Sequence, residues 1–285
     1  MPLPCEKQAR QGRREPAYLG IRGRPRTQHG AALQPAEVRW ALPGGAQALR
    51  RGRRSLSPCQ WRRTLNGTLL SARGVARRYG PHVALAPTSL DVRGGETLAF
   101  IGPNGAGKST LLSILAGALE PDEGEVVAAE PPPRVGWVPQ RPAQYTKLTP
   151  RENLELFARL ERVPEPKARA RRLLELLELP DDDRVSAELS GGNQQRLNLA
   201  VALLAQPDVL LLDEATASLD PRQRRRFWDV AHAVRERGGA VVFVTQNLEE
   251  LERFADRVAV LLDGRIVFEG TLPQYEADPS ADVFA

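Results

Sequence analysis

The sequence predicts an α/β fold: a mostly parallel sheet, an N-terminal antiparallel β subdomain and an inserted helical subdomain. Three stretches carry that prediction. In LAFIGPNGAGKST (residues 98–110) an apolar run meets a glycine-rich turn and then Lys-Ser-Thr. In VLLLDE (209–214) a continuous apolar run ends in two carboxylates, and AVVFVT (240–245) is a further run of the same kind. Uninterrupted apolar runs are what strands buried on both faces require, and the helical patterns between them supply parallel crossovers.

Residues 1–64 are set apart by charge. They hold 14 Lys+Arg against 3 Asp+Glu, a net of +11, whereas the remainder nets −6. Arg, Pro, Gly and Gln mix there without helical or strand periodicity, so the segment lacks the apolar surface to order itself and is predicted to be disordered. Two readings of it stand: a basic arm touching nucleic acid or anionic lipid, or, the favoured one, a tail without function. Arg13-Arg14 is not followed by the apolar region of a twin-arginine signal. Both cysteines, Cys5 and Cys59, lie in this segment, so the body has no cysteine for a disulfide or metal site; His29, His82 and His232 are scattered. No apolar run approaches the ~20 residues that span a bilayer, so a soluble chain is expected, with any membrane role coming through a partner. The folded body is predicted to occupy residues 65–285.

Order is expected from Thr68. TLLSARGVARRYG and VALAPTSLDVRGGE read as two strands with turns at Gly80-Pro81 and Gly94-Gly95. Tyr79 is placed in a loop ahead of the glycine-rich turn, where its ring can stack on a flat base. The turn itself fits G-x-x-x-x-G-K-S/T through Gly102, Gly107, Lys108 and Ser109, with Pro103, Asn104, Gly105, Ala106 and Thr110 completing the stretch. Such a loop curls its N–H groups around phosphate oxygens, and the helix opening near Lys108, expected to run to about Ala118, turns its positive end toward them. Lys108 is expected to reach the β/γ-phosphates and the Ser109 hydroxyl to ligate Mg²⁺. Composition sharpens this reading. Against 36 arginines the chain has four lysines, yet this position is lysine, whose narrow ammonium fits where a planar guanidinium clashes. The body therefore binds a nucleoside triphosphate.

GEVVAA (124–129) and RVGWVPQ (134–140) read as short strands, the second ending at Gln140. Thr149-Pro150-Arg151-Glu152 then carries helix-start chemistry, an N-cap, a proline at the first helical position and an acidic first turn. A further helix is expected from about Glu165, with Leu173, Leu174 and Leu177 on one face and Pro180 to Asp183 ending it. These helices form the inserted region, at about 141–189. LSGGNQQRLNLAVALLA follows, with Ser190 as N-cap, two glycines, and Leu197, Val201 and Leu204 on the buried side. It offers a second helix start able to face an anion.

At the end of 209–214, Asp213 is placed to hold Mg²⁺ through water and Glu214 to orient or deprotonate an attacking water. Ser218-Leu219-Asp220-Pro221 leads into a helix with an apolar stripe of Phe227, Val230, Ala231 and Val234, and Arg222 to Arg226 read as its solvated face. The next strand ends at Thr245-Gln246-Asn247, and RVAVLLDGRIVFEG closes as two strands about Asp263-Gly264.

In this order the motifs resemble the nucleotide-binding subunit of an ABC (ATP-binding cassette) transporter over about residues 68–275. The resemblance implies a P-loop ATPase core. It makes Tyr79 the adenine-stacking aromatic, Gly102–Ser109 the Walker A loop and Gln140 the Q-loop glutamine that touches Mg²⁺ or water and senses the membrane partner. Ser190, Gly191, Gly192, Asn193 and Gln194 become the signature motif, Asp213 and Glu214 Walker B, and Ser218–Asp220 the D-loop. The family normally has a histidine where this chain has Gln246, so slow hydrolysis is expected.

The resemblance further implies ATP and Mg²⁺ as ligands, and a head-to-tail sandwich with a second nucleotide-binding subunit, identical or different. In that sandwich Ser190, Gly191, Gly192, Gln194 and Asp220 complete the partner's site. It implies a separately encoded membrane permease and a cytoplasmic location peripheral to the inner face of the plasma membrane; nucleic acid is not an expected partner. LTPRENLELFARL and the compact helical region resemble cassettes serving ABC-2-type exporters, while importer cassettes share the motifs and LSGGNQQ also occurs among sugar importers. A soluble ABC ATPase acting on ribosomes or DNA, and a binding-only gating subunit, are the alternatives.

Overall fold

The computed structural model describes residues 67–278. The readings made of residues 1–64, with Cys5, Cys59 and His29, lie outside the described residues.

Two sheets organise the chain. Strands β1 (Thr68–Tyr79), β2 (His82–Arg93) and β4 (Glu123–Ala128) form an antiparallel sheet in the order β2-β1-β4. The other sheet has six strands, ordered β5-β6-β7-β3-β8-β9. They are β3 (Thr97–Ile101), β5 (Val135–Val138), β6 (Val209–Asp213), β7 (Ala240–Val244), β8 (Arg257–Leu262) and β9 (Arg265–Thr271). Every neighbouring pair is parallel except β8 with β9, whose hairpin turns through Asp263 (φ 47°) and Gly264 (φ 74°). Two left-handed residues in a row match the twist of a tight hairpin, and Asp-Gly is the pair that tolerates them. The mostly parallel sheet and the antiparallel subdomain follow the sequence expectation.

The apolar runs are continuous because both faces of the parallel sheet are covered. Alternate residues point to opposite faces. Leu98, Phe100, Leu211, Val242 and Ala259 join one core with Leu111, Leu112 and Leu115 of helix α1 (Lys108–Leu115) and with Leu85 and Val92 of β2. Ala99, Ile101, Leu210, Leu212 and Phe243 join the other, with residues of helices α2 (Pro150–Leu160), α3 (Pro166–Leu176), α4 (Gly191–Leu203) and α5 (Pro221–Glu236). Short helices α6 (Leu248–Phe254) and α7 (Leu272–Glu276) and a 3₁₀ turn at Ser186–Glu188 complete the described chain.

Helix starts follow the sequence closely. Thr149 and Glu152 close a reciprocal capping box on α2, with Pro150 in its first turn. Inside the inserted region, fully buried Asn153 donates to the carbonyls of Tyr145, Leu148 and Thr149 and to Ser186 Oγ, and accepts from Tyr145 N. This one amide ties α2 to the loops on either side of α2 and α3.

Four expectations need correction. Helix α1 stops at Leu115, short of Ala118, because Gly117 turns left-handed (φ 68°); its N–H bonds Ile114 O and that of Ala118 bonds Ser113 O. Val201 and Val230 pack against the core as expected, though partly buried, but the stripe of α5 also includes the buried Trp228. The Arg222–Arg226 run is not one solvated face. Arg226 bonds Glu178 at 2.5 Å and Arg224 lies 3.5 Å from the buried Glu250. Tyr79 is the last residue of β1, paired with His82, and not a loop residue. Among the described residues no helix is long and apolar enough to cross a membrane.

Candidate active site at the strand ends

Four neighbouring strands, β5-β6-β7-β3, deliver the predicted residues to one edge of the sheet. The chain leaving β5 reaches Gln140, β6 ends at Asp213 beside Glu214, β7 leads to Gln246, and β3 runs into the glycine-rich loop. Loops at the carboxyl ends of parallel strands are where such sheets gather their ligands.

The loop is shaped by what presses against it. Gly102 has φ +139°, and a Cβ there would lie 2.0 Å from the carbonyl oxygen of Leu261. Gly107 has φ +96°, and its Cβ would lie 2.4 Å from Ala84 O on β2. The β8–β9 turn braces the loop through Gly264, whose N–H bonds Ala106 O at 3.2 Å while its own carbonyl accepts from Ala86 N at 2.8 Å. The antiparallel subdomain thereby fixes the loop from behind, a role for Ala84, Ala86 and Gly264 that no local pattern in the sequence marks.

Lys108 is buried, and its ammonium donates to the carbonyls of Gly102 (2.7 Å) and Pro103 (2.8 Å). Burial pulls its pKa below the ordinary lysine value, while the charges of Glu214 and Asp213 push the other way. Helix α1 has no side-chain cap and no acidic residue in its first turn, so its N–H groups are left for an anion. Together with the glycine cradle and the buried cation, this start fits a polyphosphate.

Ser109 Oγ donates to Asp213 Oδ1 at 3.0 Å, bringing a hydroxyl and a carboxylate together beside the loop. Burial raises the Asp213 pKa, offset by the Ser109 hydrogen bond; the Glu214 charge adds to the rise and Lys108 opposes it. Among the described residues no group of three or more His, Cys, Asp or Glu is placed to hold a metal. One carboxylate and one hydroxyl instead suit Mg²⁺, which commonly keeps water and takes phosphate oxygens as its other ligands.

Glu214 is outside β6 with φ +45°, a left-handed conformation that non-glycine residues rarely adopt and that concentrates at functional sites. Its two carboxylate oxygens are each held by an amide: Oε2 accepts from Gln140 Nε2 and Oε1 from Gln246 Nε2, both at 2.9 Å. Gln246 Nε2 also donates to Asn104 Oδ1 at 2.8 Å, joining β7 to the glycine-rich loop. Gln140 is positioned from α4, where Gln195 Nε2 donates to its carbonyl at 3.4 Å and Asn198 Oδ1 accepts from Ala143 N at 3.2 Å.

The remaining predicted residues lie elsewhere. The Tyr79 ring is half exposed, with the Arg77 guanidinium 5.3 Å from its centroid. Ser190 caps α4 by accepting from Asn193 N at 3.3 Å, and Gln194 Nε2 donates to Leu189 O at 3.1 Å. Gly192 approaches Gln223 so closely that a Cβ would meet its Oε1 at 2.5 Å. Asp220 Oδ1 caps α5 by accepting from Gln223 N at 2.8 Å. Among the described residues no hydrogen bond or ion pair joins Ser190–Gln194 to residues 102–110. Hydrogen bonds thus join Ser109 to Asp213 and link Gln140, Glu214, Gln246 and Asn104 around the buried Lys108.

A family model described as ABC transporter matches residues 85–217. The daunorubicin resistance ATP-binding protein DrrA3 of Streptomyces coeruleorubidus is 39% identical over 227 residues, 75% of this chain and 72% of that protein. The Nod factor export ATP-binding protein I of Burkholderia orbicola is 40% identical over 210 residues, 70% of this chain and 69% of that protein. Among solved structures, a dimeric ATP-binding cassette in a post-hydrolysis state, bound to ADP and Pi, superposes with a TM-score of 0.65 at 29% identity; the match covers 72% of this chain and 99% of that one.

Proposed function

This chain belongs to the ABC transporter family, and on that premise we propose that it is the ATP-hydrolysing subunit of an exporter, acting on a separately encoded membrane permease. One observation carries the catalytic part of the reading: a left-handed Glu214 at a strand end, each carboxylate oxygen held by a glutamine amide, beside the Ser109–Asp213 pair and the glycine-rich loop.

In this reading Lys108 and the loop N–H groups of Gly102–Thr110 hold the triphosphate, and Tyr79 stacks on its base. Ser109 and Asp213, with Gln140 beside them, hold Mg²⁺. The ion supplies charge neutralisation at the transferring phosphoryl group. Glu214 orients the attacking water and takes its proton, and the two amides fix the carboxylate in place for that step. Gln246 is a neutral donor at the position where the family normally carries histidine, so turnover is slow. Ser190, Gly191, Gly192, Gln194 and Asp220 face a second subunit's nucleotide.

The two curated relatives named for drug resistance and Nod factor export support an exporter, located at the inner face of the membrane through its permease. The test is steady-state ATP hydrolysis alongside nucleotide binding. Lys108→Ala is expected to abolish tight binding. Glu214→Gln is expected to keep binding and lose turnover by about 10²- to 10⁴-fold, the range of a positioned acid or base. A Glu214→Gln protein that turns over at the parent rate would remove Glu214 from the chemistry, and a parent that binds ATP without hydrolysing it would make the chain a binding-only gating subunit.

A further inference from the structure

Behind Gln246 lies a second polar cluster that the chemistry above does not use. Glu250, on α6, is 4% exposed. Its carboxylate accepts from Thr245 Oγ1 at 2.8 Å and from Trp228 Nε1 at 3.4 Å, and lies 3.5 Å from Arg224 Nε. The end of β7, helix α5 and helix α6 thus converge on one buried charge. Arg224 continues the chain of contacts: its Nη2 donates to the carbonyl of Leu219 at 3.3 Å, the middle residue of the Ser218–Asp220 turn.

The same carboxylate fixes the backbone around Gln246. With the Thr245 hydroxyl proton directed at Glu250, the hydroxyl oxygen accepts from Asn247 N at 3.0 Å, and Glu250 N bonds Asn247 O at 3.1 Å. Gln246 is therefore suspended between two anchored residues. A cavity of about 290 Å³, lined by Glu214, Thr216, Arg224, Thr245, Gln246 and Glu250 among others, occupies the space between the two clusters. Gln246 is exposed beside this cleft, so hydrogen bonds rather than packing hold its position. Apolar packing would not need a charge here: a carboxylate is costly to bury and is held only by good partners.

We propose that Glu250 is a positioning residue that couples the Ser218–Asp220 turn to Gln246, so that displacement of the turn, through Arg224 and Glu250, moves the amide that holds Glu214. The proposal rests on the reading of Glu214 and Gln246 as parts of an ATP-hydrolysing site.

The test uses the full chain and the variants Glu250→Gln, Arg224→Lys and their combination. Glu250→Gln keeps an acceptor for Thr245 and removes the ion pair. Arg224→Lys keeps the charge and loses the fork that reaches Leu219. Amide hydrogen exchange without nucleotide is expected to accelerate at both 216–220 and 245–248 in each single variant, with β3 and β6 unchanged. kcat for ATP is expected to fall by roughly tenfold, as for other small misplacements of a catalytic group, with KM within about twofold. The double variant is expected to be no worse than the poorer single one, since both cut the same link.

Acceleration confined to the mutated segment, or spread evenly over the sheet, overturns the coupling, as does a KM that rises in step with the loss of kcat. If the parent does not hydrolyse ATP, the reading of the site fails, while the exchange measurement still decides the coupling.

Discussion

Gln246→Ala removes the one side chain that, among the described residues, hydrogen-bonds both Glu214 and the glycine-rich loop. The amide donates to Glu214 Oε1 at 2.9 Å and to Asn104 Oδ1 at 2.8 Å, one charge-assisted and one neutral hydrogen bond. Gln246 and Asn104 are exposed, so water takes over both contacts in the resting protein and the folded state loses within about 0.5 kcal/mol. Turnover is more sensitive, because Glu214 must hold a single orientation as the proton leaves water. A hydrogen bond to a charged group contributes about 1.5–3 kcal/mol; discounted for exposure, about 1–2 kcal/mol remains, or about a five- to thirtyfold fall in kcat. Gln246→His restores a donor and adds a group that becomes cationic near neutral pH, so its rate is expected to equal or exceed the parent's. The assay is steady-state hydrolysis by the three proteins at saturating Mg²⁺-ATP, with the permease present where one is known. A Gln246→Ala rate equal to the parent's would refute the reasoning.

Two further perturbations test the cradle and the buried carboxylate. Gly102→Ala sets a methyl 2.0 Å from Leu261 O at a backbone angle that disfavours side chains. Strain and overpacking together cost at least about 2 kcal/mol, lowering Tm by roughly 5 °C or more in a calorimetric scan. Asp213→Asn is expected to raise Tm at neutral pH while ending hydrolysis. The Asp213 pKa is raised chiefly by burial, so between its unfolded and folded values the native state binds more protons and stability falls as pH rises. Removing the charge relieves that penalty, and the Tm gain over the parent is expected to shrink as pH falls through the raised folded value and to vanish near the ordinary aspartate value of about 3.9. A gain that is absent at neutral pH, or that grows on acidification, would contradict the electrostatic account.

The parallel sheet was legible because burial on both faces leaves unbroken apolar runs, and the glycine-rich loop because its chemistry is local. Helix starts were legible at Thr149 and Ser190, where a hydroxyl caps a nearby N–H. What escaped was what only the fold brings together. The bracing of the loop by Gly264 and Ala84 joins residues far apart in sequence, and so does the convergence of Arg224, Thr245 and Glu250. Arg224 read as solvated because a charge run carries no sign of which member finds a buried partner. Tyr79 read as a loop residue because strand pairing carries β1 up to the turn at Gly80. Gln246 was legible as a residue at the end of a buried strand, but its bond to Asn104 was not.

We propose that each nucleotide site is completed by a second subunit, and sedimentation of Glu214→Gln with and without ATP reads this out. A monomer is expected without nucleotide and a dimer with ATP. Adding Ser190→Arg is expected to abolish the dimer while leaving the affinity of the monomer for ATP nearly intact. A Glu214→Gln protein that stays monomeric at saturating ATP, or a Ser190→Arg monomer that no longer binds ATP, would contradict it.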